Sequence, residues 1–113
     1  MPFIDVRITK KLTESQKDDI KNEIGAAMAI IGKPESYTMI GIQDGYTLYF
    51  GGKKIDDGAY VAVDVLGNAN PAGSEKFTMA VCETLEKRSG LPGKNVYVEY
   101  RHTADWGWNG TNF

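Results

Sequence analysis

Only one cysteine, Cys82, and one histidine, His102, occur among the 113 residues. The chain therefore has no intrachain disulfide framework and no multi-cysteine zinc site, and a metal or other cofactor is not expected. No apolar run approaches the roughly 20 residues a membrane helix needs. The opening segment from Pro2 to Thr9 alternates apolar and polar side chains where a signal peptide would be continuously apolar, which points to a cytoplasmic protein. Basic blocks are missing too: 13 Lys and Arg stand against 15 Asp and Glu, for a net charge of -2, so nucleic acid is not an expected partner. What remains is a chain with room for one domain, 1–113, and one core. A chain this short buries a modest fraction of its surface, and self-association would help stabilise it.

The pattern along the chain is α+β. Pro2 to Thr9 places Ile4, Val6 and Ile8 on one face and Asp5, Arg7 and Thr9 on the other, the period of a strand. Thr13 with Gln16 three residues on is a capping box, and Ile20, Ile24, Ala27, Met28 and Ile31 follow at helical spacing. Gly32 and Pro34 stop that helix. Tyr37 to Gln43 reads as a second strand turned by Asp44-Gly45, Tyr46 to Phe50 as a short extended piece, and Lys53 to Gly58 as a charged loop. Tyr60 to Leu66 alternates Val61, Val63 and Val65 against Tyr60, Ala62 and Asp64, a third strand. A second helix begins near Pro71 or Ser74, carries Phe77, Val81 and Leu85, and ends at Gly90 with Pro92 behind it. Val96 to Tyr100 is the fourth strand, and the tail from His102 to Phe113 has no clear period.

The two halves, about 2–52 and 59–105, repeat each other. Gly32 and Pro34 are answered by Gly90 and Pro92, and Tyr37 by Tyr97, offset by 58 to 60 residues. Duplicated βαβ units give a four-stranded mixed sheet with both helices on one face. The strand from Tyr37 to Gln43 reads as a central one, apolar on both sides. With no third helix to cover the second face, copies of the chain are expected there, most simply in a closed cyclic oligomer.

Met1-Pro2 adds a chemical possibility. Pro2 is small enough to permit removal of Met1, which would leave a secondary amine, a base and a nucleophile, at the head of a strand where proline is tolerated. If Met1 stays, that nitrogen is an amide without basicity. Many chains begin Met-Pro, so Pro2 taken alone is also read as incidental.

Met1-Pro2 opening a strand, Gly32-Lys33-Pro34 followed by Tyr37, Phe50-Gly51-Gly52, Val96-Tyr97-Val98, and Trp106-Gly107-Trp108-Asn109 before Phe113 together resemble the macrophage migration inhibitory factor family of the tautomerase superfamily. The resemblance spans the whole chain. It implies a homotrimer whose sheets enclose a channel, with three active sites between neighbouring subunits. It also implies that the mature N-terminal Pro2 is the catalytic base, that Lys33 is the pocket lysine, and that Tyr97 is contributed by the adjacent subunit. Leu66 falls at a pocket wall, and Phe3, Tyr37, Trp108 and Phe113 at its apolar lining. Without the resemblance, Lys33 is equally a solvated helix-end lysine, Tyr97 and Trp108 core aromatics, and Phe113 a frayed end.

Three departures from the family pattern matter. Glu99 stands where Asn is frequent, which bears on substrate choice. Trp106 replaces a smaller apolar residue after a shortened segment, so the pocket mouth is expected to be narrower. The vertebrate cytokine's Cys-x-x-Cys corresponds to Gly58-Ala59-Tyr60-Val61, which removes the residues for thiol oxidoreduction.

The expected chemistry is keto–enol proton transfer in phenylpyruvate-type aryl α-keto acids. Desolvation and a nearby Lys33 would lower the amine pKa toward working pH. Lys33 would hold the substrate carboxylate, and the Tyr97 hydroxyl would bond the enolate oxygen. Phe3, Tyr37, Trp106, Trp108 and Phe113 would wall an aryl group. Glu99, as an unpaired carboxylate at the ring end, would favour a para-hydroxyl. The alternatives are a leaderless secreted, cytokine-like protein acting on a receptor, and another superfamily reaction such as decarboxylation or dehalogenation, which Glu99 near the proline keeps open. Outside the family stands a small ferredoxin-like regulatory domain.

Overall fold

A computed structural model describes residues 1–113. Strand β1, Pro2–Ile8, has Ile4, Val6 and Ile8 fully buried and the residues between them half-buried. Helix α1, Glu14–Ala27, starts where Thr13 Oγ1 accepts from the Gln16 N–H at 3.1 Å and Gln16 Oε1 accepts from the Thr13 N–H at 2.9 Å. This reciprocal pair satisfies two amides that a helix start leaves open. The helix tightens into a 3-10 turn over Met28–Ile31 and stops at Gly32, whose φ of 68° is left-handed. Helix α2, Pro71–Ser89, is capped by Asn70, has Pro71 in its first turn, and stops at Gly90 with φ 70°.

After each glycine the chain takes the same path. Pro34 leads into a 3-10 turn, Glu35–Tyr37, and strand β2, Met39–Gln43. Pro92 leads into Gly93–Asn95 and strand β6, Val96–Thr103. Tyr37, expected to open a strand, sits instead in the turn, because Pro34 starts a hydrogen-bonded turn that delays pairing until Met39. The expected charged loop at Lys53 is a strand: β3, Leu48–Phe50, pairs with β4, Lys53–Ile55, across Gly51-Gly52, both at positive φ. The tail also has a period. Strands β7, Gly107–Trp108, and β8, Thr111–Asn112, pair around Asn109 (φ 53°) and Gly110 (φ 80°). Asn-Gly is the sequence signal for such a hairpin and could have revealed it.

Strand β5, Ala59–Leu66, completes a sheet of order β2-β1-β5-β6. The pairs β1–β2 and β5–β6 are parallel, and the central pair β1–β5 is antiparallel. The two helices contribute Ile20, Ile24, Phe77, Val81 and Leu85 to one core with the inner residues of β1 and β5. No helix is long and apolar enough to cross a membrane.

The uncovered face differs from the expectation in two ways. Strand β2 is at an edge, where Met39 is 72% exposed, and not at the centre. The face is also charged. Arg7 pairs with Asp5 at 3.2 Å and lies over the rings of Tyr46 and Tyr60 at 5.7 and 6.0 Å. Arg101 pairs with Glu99, reaches Asp64 at 3.7 Å, and donates to the Tyr60 hydroxyl at 3.2 Å. The apolar pattern of β1 and β5 belongs to one side only, so a second apolar face is not what calls for a partner. The unpaired edges of β2 and β6 and their exposed Met39 and Tyr97 are the features left without one.

Phe77 has no exposed surface, so Phe77→Ala is expected to cost roughly 3–5 kcal/mol, against about 1 kcal/mol for Thr13→Ala, which loses only a cap. Urea unfolding at fixed protein concentration measures both. Equal losses would contradict the central placement of Phe77.

Candidate active site

The start of β1 is the natural place for a group that must be both held and reachable. Pro2 is the first residue of a central strand, paired with Val65, and is buried. Its missing N–H removes no bond from the sheet interior. Beside it lies a cleft of about 380 Å³ lined by residues that include Met1, Pro2, Phe3, Tyr37, Trp106 and Trp108. Each wall has a separate structural cause. Phe3 follows Pro2 and stands in register with Met39 of β2. Tyr37 is delivered by the turn after Pro34.

The Asn109-Gly110 turn folds the tail back, and the Phe113 N–H donates to the Trp106 carbonyl at 3.0 Å. Phe113 then stacks on Trp108 at 6.5 Å and 10°, while Tyr37 meets Trp108 edge-on at 6.2 Å and 83°. Phe113 is thus a tethered ring of an aromatic wall.

Lys33 approaches from behind. Its ammonium donates to the Leu66 carbonyl at 2.9 Å, and the Leu66 N–H donates to the Met1 carbonyl at 3.2 Å. One residue at the end of β5 thereby links the lysine and the N-terminus. Gly67, which follows, has a φ of 119° that suits glycine, and a Cβ there would meet Lys33 Nζ only at ordinary contact distance, 3.6 Å. The α-amine of Met1 is lowered from its ordinary pKa of 8.0, first by burial and then by the Lys33 charge.

The chain so brings together Pro2, Phe3, Lys33, Tyr37, Leu66, Trp106, Trp108 and Phe113. It keeps Tyr97 and Glu99 apart from them. Pro2, Val65 and His102 share one row of the sheet. Tyr97 lies five residues back along β6 and two strands across, about 19 Å from Pro2 at ordinary strand spacings, and Glu99 lies about 14 Å away. Tyr97 is 63% exposed and meets Phe50 edge-on at 5.3 Å. Both line an apolar groove of about 480 Å³ with Leu48, Tyr49, Tyr60 and Asn95.

Glu99 is not the unpaired carboxylate expected. Its hydrogen bond from Arg101 comes first in holding its pKa below the ordinary range, with Tyr60 a lesser contributor. Arg101, two residues on, shares its face of the strand, and that spacing was readable from the sequence. Three further participants escaped sequence reading: the Met1 carbonyl and the Leu66 amide, because backbone groups carry no residue signature, and Phe50, whose place depends on the Gly51-Gly52 hairpin. No group of three or more His, Cys, Asp or Glu side chains is arranged to hold a metal ion.

The family model described as macrophage migration inhibitory factor (MIF) matches residues 1–113. The macrophage migration inhibitory factor of Xenopus laevis is 28% identical over 100% of this chain and 99% of its own. Among solved structures, Leishmania major MIF2 superposes with a TM-score of 0.91 at 30% identity, covering 100% of this chain and 97% of that one. A fused 4-OT solved as a symmetric trimer shares the fold, with a TM-score of 0.86 at 22% identity over 97% and 94% of the two chains.

The amine's electrostatics give a pH-dependent outcome. Because its pKa is lowered, more of it is neutral and basic at pH 7 than of a free terminus, and it gains its proton only as pH falls further. Lys33→Gln removes the Coulombic cause and leaves the burial. In a chain that keeps Met1, NMR titration of that residue is then expected to show its amine pKa moving up toward 8.0, and the amine protonating at higher pH, whereas an unmoved titration would separate Lys33 from the terminus.

Proposed function

Because the chain belongs to the macrophage migration inhibitory factor family and has the tautomerase-superfamily fold, we propose that it is a keto–enol tautomerase of phenylpyruvate-type α-keto acids, with mature Pro2 as general base. The observation that carries this is Pro2, buried at the head of a central strand and lining an aromatic cleft, with Lys33 close enough to the chain terminus that its charge helps lower the Met1 amine. An amine that is neutral near pH 7 and still basic is what proton shuttling needs.

Removal of Met1 does two things at once. It turns the Pro2 amide into a secondary amine, and it takes the acceptor from the Leu66 N–H, which faces the Met1 carbonyl. A freed backbone donor then stands beside the Lys33 ammonium, and together they suit a substrate carboxylate. In ketonisation, neutral Pro2 accepts the enol O–H proton and the resulting ammonium returns it to the β-carbon. The enol's electron pair forms the carbonyl, the amine ends neutral, and no cofactor takes part. Tyr97 of a neighbouring copy bonds the developing oxyanion, which stabilises charge where it appears.

The separation of Tyr97 from Pro2 within the chain supports a cyclic trimer in which the groove around Phe50 and Tyr97 meets the Pro2 cleft of the next copy. Glu99 then lies near the aryl end of that pocket. Since Arg101 already satisfies it, Glu99 costs less when an unsubstituted ring binds than a bare carboxylate would.

Pro2→Gly keeps a terminal amine but changes its basicity and rigidity, and is expected to slow phenylpyruvate ketonisation about 10²- to 10⁴-fold in a correctly processed protein. Unchanged turnover would remove Pro2 from the mechanism. Light scattering in dilute buffer is expected to give three times the 12.4 kDa chain mass, and a stable monomer would leave the site without Tyr97. For Glu99→Gln, the kcat/KM preference for hydroxyphenylpyruvate over phenylpyruvate is expected to shrink, and a constant ratio would show that Glu99 has no part in choosing substrate.

A further inference from the structure

Lys33, bonded to the strand end that also holds the Met1 carbonyl, lines a cavity much smaller than the aromatic cleft, on the helix side of the sheet. Building on the function proposed above, we propose that this cavity holds one ordered water that takes an N–H of Lys33, and that His102 is the positioning residue that fixes this water and so aims the lysine at the substrate carboxylate.

The cavity is lined on its polar side by Lys33, Asn68, Asn70, Ser74, Tyr100 and His102. Its volume of about 30 Å³ exceeds the roughly 10–15 Å³ that a water requires. Part of the polar lining is already engaged. Asn70 Oδ1 accepts the Gly73 N–H at 3.3 Å as the cap of α2. The Tyr100 hydroxyl donates to the Ser74 carbonyl at 2.8 Å and lies 2.7 Å from Thr78 Oγ1. His102 takes no part in these bonds, and Lys33 uses one of its three N–H groups, on the Leu66 carbonyl. The Asn68 amide, the Asn70 Nδ2 and the Ser74 hydroxyl keep free capacity as well, and His102 is distinguished from them by its place in the sheet, beside the strand end whose carbonyl Lys33 already holds. The pair is an ammonium that only donates and an imidazole that has an acceptor nitrogen when neutral. One water accepts from the first and donates to the second.

Strand register puts His102 where this task needs it. His102 is in line with Val65, next to Leu66 on β5, and in the same row as Pro2. With one ammonium donor on the Leu66 carbonyl and one on the cavity water, the third is left for the substrate carboxylate. An ammonium anchored in two directions has its third bond direction set, and orientation is what a carboxylate clamp contributes to proton transfer. Without the water the lysine keeps its charge but can swing about the Leu66 bond.

Two measurements on the purified full chain decide it. A high-resolution crystal structure is expected to show a water within hydrogen-bonding distance of both Lys33 Nζ and a His102 ring nitrogen, and an ordered site without that water overturns the proposal. His102→Val, which a strand accepts, is expected to raise KM for phenylpyruvate roughly tenfold, the scale of a lost bond to a charged group. It should leave KM for the methyl ester, which offers Lys33 no charge, nearly unchanged, and His102→Gln, which keeps an acceptor, should restore the acid's KM. An equal rise for acid and ester would show a merely structural histidine and overturn the proposal. Should the chain turn over neither compound, the tautomerase reading fails, while the water still decides the role of His102.

Discussion

The antiparallel pairing of β1 with β5, from Pro2 opposite Val65 to Ile8 opposite Ala59, is the constraint on which the molecule depends. It joins the two strand–helix–strand halves back to back and makes both strands central. It buries Ile4, Val6 and Ile8 against Val61, Val63 and Val65 under the two helices. It also fixes the chain's first residues at one end of the sheet, beside the end of β5. A terminus is ordinarily frayed. Here the strand registers it, and the backbone bond between Met1 and Leu66 secures it further.

The chemistry of the cleft follows from that placement. The Met1 amine, held against a buried sheet end, is desolvated, and Lys33 reaches the same point because Gly32 ends its helix with a left-handed residue and the Leu66 carbonyl takes its ammonium. Burial and charge both disfavour the protonated amine, so the two effects add. The aromatic wall comes from chain remote in sequence, the turn after Pro34 and the folded-back tail. It gathers at Pro2 because β2 is the parallel neighbour of β1.

The open face of the sheet shows how pairing turns a liability into a specific surface. Five charges, Asp5, Arg7, Asp64, Glu99 and Arg101, stand around buried Ala62 and are matched with one another or with tyrosines. Such pairs in contact with water contribute little stability individually. Their arrangement fixes side-chain directions on a face that no helix covers, and it leaves the apolar sheet edges, with Met39 and Tyr97, as the surfaces most suited to contact with copies of the chain.

Local physics was enough for much of the fold. The capping box at Thr13, the stops at Gly32 and Gly90, the alternation in β1 and β5, and the core residues Phe77, Val81 and Leu85 are set by neighbours within a few residues, and the sequence by itself determined them. The motif residues around Pro2 were legible for the same reason, as short patterns in a fixed order. Tertiary structure decided the rest. That β2 is an edge strand depends on which strand β1 pairs with on its other side, a contact between residues far apart in the chain. That Arg101, while paired with Glu99 on its own strand, also reaches Asp64 and the Tyr60 hydroxyl depends on two strands lying side by side. The Leu66 backbone acts on both Met1 and Lys33, although nothing in the identity of a leucine reports what its amide and carbonyl face. Side-chain patterns record what a residue buries, whereas long-range pairing alone decides where its backbone and its charge end up.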